Sequence, residues 1–171
     1  MPTAARDRLI AAAERLFYAE GVRAVGVERL LAESGVGRAS FYRHFPGKDD
    51  LVVTVLGGRL SRWRVDLAAA VEARGGGVLA VFDVLADQAT DPAFRGCAAI
   101  NAMVEAADPD SAAHRVAADH KEHLAAYLQT LTGDAELARE LLLLVDGALV
   151  TSLRDPGAIS RARALAARLI G

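Results

Sequence analysis

Hydrogen-bond donors are concentrated in one short stretch of the chain, residues 38–48, which carries guanidinium, hydroxyl, imidazole and ammonium groups. The polar side chains expected to point outward from a helix here are Arg38, Ser40, Tyr42, Arg43 and His44. Phe41 and Phe45 are four residues apart, so the same helix would turn both rings to its opposite face. Such a helix can offer donors to a polyanion while its other face packs into an apolar core.

A second, shorter element precedes this stretch and must position it. Leu30 and Leu31 give an apolar edge to a predicted helix over 27–33. The break at 34–36 contains Gly35, which can adopt the left-handed conformation that other residues avoid. A helix, a tight turn with glycine and a second helix rich in arginine and hydroxyl groups are typical of the helix-turn-helix, whose second helix fits the major groove of DNA.

The run from residue 30 to residue 51 resembles the DNA-binding domain of the tetracycline-repressor (TetR) family. The positions that match the family's pattern are Gly35, Val36, Phe41, Tyr42, His44, Phe45, Lys48 and Leu51. The positions that depart from it are Leu31, Ser34, Gly37 and Ala39. Gly26 stands where the family usually has Thr or Ser as the cap of the first helix of the unit. Glycine is itself an acceptable N-cap, so this departure concerns one side-chain phosphate contact and not the fold.

The resemblance implies a set of DNA contacts, which can be sorted into those that position the protein and those that read sequence. Phosphate contacts are implied for Tyr42, His44 and Lys48, and the backbone at Gly26 can meet phosphate at a helix N-terminus. The positions implied to face base edges are Arg38, Ala39, Ser40 and Arg43. The alternative is that Tyr42 packs against the first helix, His44 packs a helix corner, and the arginines are solvated.

Composition and charge favour an all-helical protein with one basic end. Of the 171 residues, 53% are hydrophobic, and Ala and Leu dominate over aromatic residues. Residues 1–64 hold 11 Lys and Arg against 7 Asp and Glu, a net +4, whereas residues 65–171 hold 9 against 15, a net −6. A basic first part could meet a polyanion; the alternative is two ordinary solvated surfaces. The single cysteine and the lack of a long apolar run indicate a cytoplasmic protein without a membrane span.

Helical periodicity and Gly or Pro breaks predict nine helices in two domains, a helix-turn-helix domain over 1–47 and a ligand-binding and dimerisation domain over 48–171. The predicted helices are 3–20, 27–33, 38–45, 48–74, 78–89, 94–107, 108–131, 135–153 and 156–170. Asp108-Pro109 is predicted to cap and begin the seventh helix, Asp134 to cap the eighth, and Asp155-Pro156 to introduce the ninth. The fourth helix is long enough to carry a signal from DNA into the second domain, and Gly57-Gly58 inside it is either a packing contact or a hinge.

The last two helices are apolar over a wide arc, so each needs neighbours on two sides. In the family these helices form a four-helix bundle with their copies, so the resemblance implies a homodimer with two reader helices for a palindromic operator. The interface residues expected on this basis are Leu141, Leu142, Val145, Leu149, Ile159, Leu165 and Leu169. The alternative is that both helices lie inside a monomer.

The resemblance also implies a pocket for a small-molecule effector, enclosed by the fourth to eighth helices. Its candidate lining residues are Trp63, Phe82, Cys97, Asn101, Met103, His120, Tyr127 and Asp146. The polar members of this set could orient a ligand, or could instead satisfy a neighbouring backbone or a partner subunit. His120 and His123 could share a helix face, but no cysteine pair supports a metal site, so neither a metal nor a cofactor is expected.

These observations together predict a ligand-responsive transcriptional regulator, a repressor that binds a palindromic operator as a homodimer and leaves it when an effector binds. No nucleophile elbow, phosphate-binding loop or metalloprotease helix occurs, so an enzyme is not expected. Two other hypotheses remain open. One is a small-molecule carrier that retains the fold; the other is a helical DNA-binding architectural protein without an effector.

Overall fold

The computed structural model describes residues 4–171, and that part of the chain folds into nine α-helices without a strand. The helices are α1 (Ala4–Glu20), α2 (Val27–Ser34), α3 (Arg38–His44), α4 (Lys48–Glu72), α5 (Leu79–Gln88), α6 (Ala98–Ala106), α7 (Ala112–Thr132), α8 (Ala135–Thr151) and α9 (Ala158–Ile170). The predicted all-α, nine-helix architecture is confirmed. The predicted start of the first helix at Thr3 lies outside the described residues. None of the helices in 4–171 has the length and apolar character needed to cross a membrane.

Helices α6, α7 and α9 begin later than predicted, and an Asp-Pro pair precedes each of them. The carboxylate of Asp91 accepts a hydrogen bond from the backbone N–H of Ala93 at 2.8 Å. The equivalent bonds run from the N–H of Asp110 to Asp108 at 2.9 Å and from the N–H of Gly157 to Asp155 at 3.0 Å. Each Asp therefore closes a turn two residues ahead of itself. The predicted starts of α6 at residue 94, α7 at residue 108 and α9 at residue 156 were therefore two to four residues too early.

The helix caps show which polar side chains do start helices. The hydroxyl of Ser111 accepts from the backbone N–H of His114 at 3.2 Å and caps α7, a role that the sequence had suggested for Asp108. Asp134 caps α8 as predicted, because its carboxylate accepts from the N–H groups of Glu136 and Leu137 at 2.8 and 3.2 Å. These bonds satisfy N–H groups that have no partner inside the helix.

The chain forms two compact units, and α4 and α7 contribute residues to both of them. Unit 1 comprises Met1–Leu60 and Ala98–Ala118, and unit 2 comprises Ser61–Cys97 and Asp119–Gly171. These units describe packing. The division into a DNA-binding domain over 1–47 and a ligand-binding and dimerisation domain over 48–171 stays a prediction.

Unit 1 is built around α1, which packs against α2 and α3. Leu9 of α1, Leu30 of α2 and Phe41 of α3 are fully buried in one apolar cluster. Two short helices alone bury too little apolar surface to be stable, so α1 supplies the remaining core. This packing holds α2 and α3 in a defined orientation and leaves one face of α3 open.

Unit 2 is built around α9, which packs against α8 and α5. Phe82, Leu85 and Leu141 are fully buried in this unit. The guanidinium of Arg163 on α9 donates to both carboxylate oxygens of Asp83 on α5, at 2.7 and 3.2 Å. That bidentate pair fixes the register of the two helices in addition to their apolar contact.

Gly57 lies within α4 in unit 1, and its surroundings bear on its role. A methyl group added there would lie 3.8 Å from Cγ1 of Val116, an ordinary van der Waals distance. An alanine would therefore fit at this position without displacing its neighbour. Close packing does not require glycine at 57, so the hinge hypothesis for Gly57-Gly58 stays a prediction.

Candidate functional site

The turn between α2 and α3 has the geometry that a helix-turn-helix needs. Gly35 ends α2 in the left-handed conformation, with φ of 63°, and its N–H donates to the carbonyl of Leu31 at 3.0 Å. The hydroxyl of Ser34 accepts from the N–H of Val36 at 3.3 Å and so supports the same turn. Gly26 is the N-cap of α2, as predicted, with extended backbone angles and no side chain to cover the helix N-terminus.

The inner face of α3 is anchored by two aromatic rings. Phe41 is 0% exposed and Phe45 is 2% exposed, with their ring centroids 6.2 Å apart. The ring of Tyr42 meets Phe41 edge-on at 5.1 Å, and the guanidinium of Arg6 lies 5.4 Å from the Phe45 ring. Burial of two phenylalanines stabilises the position of this short helix far more than its own backbone hydrogen bonds could.

The outer face of α3 and its flanks carry the residues predicted to contact DNA. Gly26, Arg38, Ala39, Tyr42 and Arg43 are exposed, and Ser40, His44 and Lys48 are partly exposed. Tyr42 remains 48% exposed despite its contact with Phe41. Arg43 donates to the hydroxyl of Ser40 at 3.1 Å, which holds its guanidinium along the helix surface. The arrangement is a rigid helix with donors on its solvent-facing side.

An acidic residue that the sequence analysis had not assigned, Glu28, pairs with one of these donors. Glu28 lies in the first turn of α2, and its carboxylate forms an ion pair with Arg38 at the start of α3. The pair brings the N-termini of the two helices together at the exposed surface. An acid in the first helical turn after Gly26 was the available sequence signal, because such positions favour negative charge near the helix dipole.

A second unassigned contact ties the α1–α2 connection to α6 within unit 1. The carboxylate of Glu105 accepts from the backbone N–H of Arg23 at 2.9 Å. Gly21, with φ of 88°, lies so close that an added Cβ would be 3.1 Å from the same carboxylate. Ala107, directly after α6, has a left-handed φ of 58°. Glu105 and Arg23 are 82 positions apart in the sequence, so no local pattern could reveal this contact.

The predicted effector-site residues are divided between the two units. Trp63, Phe82, Cys97, His120, Tyr127 and Asp146 belong to unit 2. Asn101 and Met103 lie on α6 in unit 1, where Asn101 is exposed and Met103 is partly buried. Phe82 is fully buried in the core of unit 2. Most of the polar candidates for ligand binding therefore belong to unit 2.

His120 is the polar centre of unit 2, and it is only 2% exposed. The guanidinium of Arg64 donates to its Nδ1 at 3.2 Å, so the ring proton of neutral His120 lies on Nε2. The pKa of His120 is lowered to about 4, mainly by burial and then by the nearby groups Lys121, Arg64 and His123, in that order. The ring of Trp63 lies edge-on at 5.4 Å. Its indole N–H donates to Gln88 at 3.0 Å, which fixes the ring orientation.

A second polar group in unit 2 contains the single cysteine. Lys121 forms an ion pair with Asp146, and its Nζ also donates to the sulfur of Cys97 at 3.3 Å.

Tyr127, another predicted effector-site residue of unit 2, is affected by its surroundings in its ionisation. Burial raises the pKa of Tyr127, and the charge of Glu72 adds to the effect. Within residues 4–171, no group of three or more His, Cys, Asp or Glu side chains is arranged to hold a metal ion.

The predicted interface residues of α8 and α9 occupy two different environments. Leu141, Val145, Leu149 and Ile159 are buried within unit 2 of the protomer, and Leu142 is partly buried. Leu165 and Leu169 are exposed, at 45% and 47%. The first four are core residues with almost no surface to offer a partner. Sequence periodicity could not separate them from the outer face, because these helices are apolar on both sides.

Comparison with known proteins agrees with this geometry. Residues 9–55 match the model of the family described as bacterial regulatory proteins, tetR family. An uncharacterized HTH-type transcriptional regulator of Lactococcus lactis subsp. lactis is 25% identical over 137 residues, or 75% of this chain and 70% of that protein. The multidrug binding protein EbrR, solved with imidazole, superposes with a TM-score of 0.77 at 25% identity, covering 100% of this chain and 97% of EbrR.

Another comparison that extends over both units is with SCO4454, a TetR-family transcriptional regulator from Streptomyces coelicolor. The two are 34% identical and superpose with a TM-score of 0.89, over 98% of this chain and 94% of SCO4454. Sequence identity and backbone agreement therefore continue well beyond the helix-turn-helix. With the αL turn at Gly35 and the buried anchor of α3, this shows that the chain belongs to the TetR family of transcriptional regulators.

Proposed function

We propose that this regulator is a ligand-responsive repressor, which binds a palindromic DNA operator as a homodimer and releases it when a small molecule binds. The observation that carries the proposal is α3, a helix anchored by buried Phe41 and Phe45 that presents exposed donors on its other face. Regulators of this family bind DNA and small-molecule effectors and dimerise. A small-molecule carrier function would not account for the exposed arginines on α3.

On DNA, the proposed roles divide by position on the helix-turn-helix. Tyr42, His44 and Lys48 would contact phosphates, and the free N–H groups after Gly26 would meet another phosphate. Arg43 is the best candidate for a guanine contact, because its bond to Ser40 already orders the side chain. Arg38 and Ala39 would lie toward neighbouring base edges. Arg38 must break its ion pair with Glu28, or keep it, while it contacts DNA. We therefore expect its DNA contact to be weaker than that of Arg43.

The proposed dimer uses the exposed face of α8 and α9. Leu143 of α8 is 75% exposed, and Val150 on the same face is 47% exposed. Between them, a Cβ added at Gly147 would meet nothing within 4 Å, so a second helix can approach the backbone there. Leu165 and Leu169 of α9 supply the rest of the face. A two-fold pair built on this surface would present two α3 helices to a palindrome.

The proposed route of the signal runs through α4 and α6. Helix α4 begins at Lys48 beside the DNA contacts and, at 25 residues, spans about 37 Å. In unit 1, Glu105 of α6 holds the connection that leads into α2. An effector that displaced either helix would reorient the helix-turn-helix and lower operator affinity, with a coupling of about 1–3 kcal/mol.

DNA binding is tested by selecting bound fragments from random duplex DNA and measuring affinity for the selected palindrome at several salt concentrations. We expect Lys48→Ala to weaken binding to all sequences alike and to reduce the salt slope by about 1. Arg43→Ala should cost about 1–3 kcal/mol and relax preference at one base pair per half-site. Arg115→Ala, at an exposed position of α7, removes the same charge and serves as the matched control. If Arg43→Ala and Arg115→Ala bind with equal affinity and equal sequence preference, Arg43 does not contact a base.

The dimer is tested by sedimentation velocity. Leu143→Glu should produce a monomer at concentrations where the parent protein is a dimer, because it buries a charge in an apolar interface. Val104→Glu is the matched control, since Val104 is 74% exposed on α6 and belongs to unit 1, whereas the proposed face belongs to unit 2. A Leu143→Glu protein that stays dimeric would show that this face is not the interface.

A further inference from the structure

Arg64 is distinguished from the other cations of unit 2 by the partner it has. Lys121 pairs with Asp146, Arg163 with Asp83, and Arg74 with Asp87. The guanidinium of Arg64 instead donates to neutral His120. In the part of the chain that the structure describes, no carboxylate forms an ion pair with Arg64. A partly buried guanidinium therefore lacks the acid that normally balances it.

The charged groups that affect His120 all have the same sign. Each charged group that shifts the pKa of His120 is a cation, and the three are Lys121, Arg64 and His123. The charge of Lys121 is balanced by Asp146, and His123 is exposed with its Nδ1 on the carbonyl of Asp119. What remains is the positive charge of Arg64, which is partly buried beside the buried His120. Such a site attracts an anion more strongly than the same charge at the surface would.

The donors at this point are already oriented. Because Arg64 donates to Nδ1 of His120, the ring proton lies on Nε2 and forms a second donor. Arg64 keeps further N–H groups for an acceptor, since a guanidinium carries five. The indole of Trp63 is held by Gln88 and offers an aromatic surface beside them. Fixed donors beside a fixed aromatic ring bind a ligand with little loss of side-chain entropy.

From these contacts we propose that Arg64 and His120 bind the carboxylate of a small organic acid, and that Trp63 contacts the apolar part of the same molecule. Arg64 supplies the charge and His120 Nε2–H a neutral hydrogen bond. The site lies within unit 2. The inference that this acid is the effector rests on the proposed repressor function. The inference that the acid binds here does not depend on that function.

The first experiment compares three probes of one shape and different charge, namely benzoate, benzamide and benzamidine, by calorimetry on the full-length protein. We expect benzoate to bind and the neutral and cationic probes to bind at least about tenfold more weakly. Arg64→Gln should reduce benzoate affinity by about tenfold or more, while Arg62→Gln, an exposed arginine on the same helix, should not. Inorganic phosphate, tested in parallel, should not compete with benzoate.

A second readout separates ligand binding from a merely structural role of the pair. An anion beside His120 favours the protonated ring, so benzoate binding near pH 5.5 should take up protons, detected as a binding enthalpy that depends on the buffer. His120→Gln should bind benzoate without this proton uptake. The proposal is overturned if benzamide binds as tightly as benzoate, if Arg64→Gln binds benzoate like the parent, if phosphate displaces benzoate, or if benzoate fails to bind at about 10 mM.

The effector role is read separately in an operator-release assay. If benzoate binds in a way that depends on Arg64 but does not release the operator, the binding site is supported and its link to repression is refuted. Release of the operator by neutral compounds, with no benzoate binding, would refute the site and leave the repressor function standing.

Discussion

His120 should make the protein less stable in mild acid. The ring is 2% exposed and accepts a hydrogen bond from Arg64, so the folded state holds it neutral, with a pKa of about 4. In the unfolded chain its pKa returns to the ordinary value of 6.5. Between these values the unfolded state binds the proton and the folded state does not. Stability is therefore lost as the pH falls from 6.5 toward 4.

The size of the effect follows from the two pKa values. At pH 5 the unfolded state gains about 2 kcal/mol relative to pH 8, and below pH 4 the gain levels off at about 3 kcal/mol. Other acids and histidines titrate in the same range, so the quantity to compare is the difference between the parent and a variant that cannot titrate at this position.

The assay is urea unfolding followed by circular dichroism at pH 8 and pH 5, at one protein concentration because the protein is proposed to dimerise. His120→Gln keeps an acceptor for Arg64 but does not titrate. The parent should lose about 2 kcal/mol more than His120→Gln between the two pH values. His123→Gln, at an exposed position three residues on, should behave like the parent. Equal losses in the parent and His120→Gln would refute the reasoning that His120 is buried in its neutral form.

Three further outcomes are expected in unit 1. Phe41→Ala should destabilise the protein by about 3–5 kcal/mol in urea unfolding, because it empties a fully buried site in the core under α3; a change below 1 kcal/mol would contradict that packing. Glu28→Gln should raise operator affinity a few-fold at low salt, since it frees Arg38 and removes a negative charge near phosphate, and unchanged affinity in gel-shift titrations would show that the pair does not compete with DNA. Gly57→Ala should raise thermal stability by up to about 1 kcal/mol, because the added methyl fits; loss of effector response with operator affinity retained would identify a hinge.

In the proposed signal route, the hydrogen bond between Glu105 and the α1–α2 connection is the place at which α6 acts on the helix-turn-helix. The contact is a hydrogen bond between a carboxylate and a backbone N–H, and Gly21 leaves the room for it. Helix α6 directly follows Cys97, a residue of unit 2, in the chain. This connectivity makes α6, as well as α4, part of the proposed signal route.

Local patterns in the sequence determined much of the helical architecture and the helix-turn-helix. Phe41 and Phe45 at a spacing of four residues predicted the inner face of α3, and Gly35 predicted the left-handed turn before it. Asp134 predicted the start of α8. These predictions succeed because a helix face, a positive φ and an N-cap depend on residues within a few positions of one another.

Only the tertiary structure decided which groups from distant parts of the chain meet. The pairs Arg38–Glu28 and Arg64–His120, and the bond from Arg23 to Glu105, join residues that no periodicity relates. Burial within α8 was likewise beyond the sequence, because a helix that is apolar on two sides does not reveal which side its own protomer covers. The ion-pair partner of a side chain and the covered face of a helix are set by packing between elements, and that packing depends on the whole chain at once.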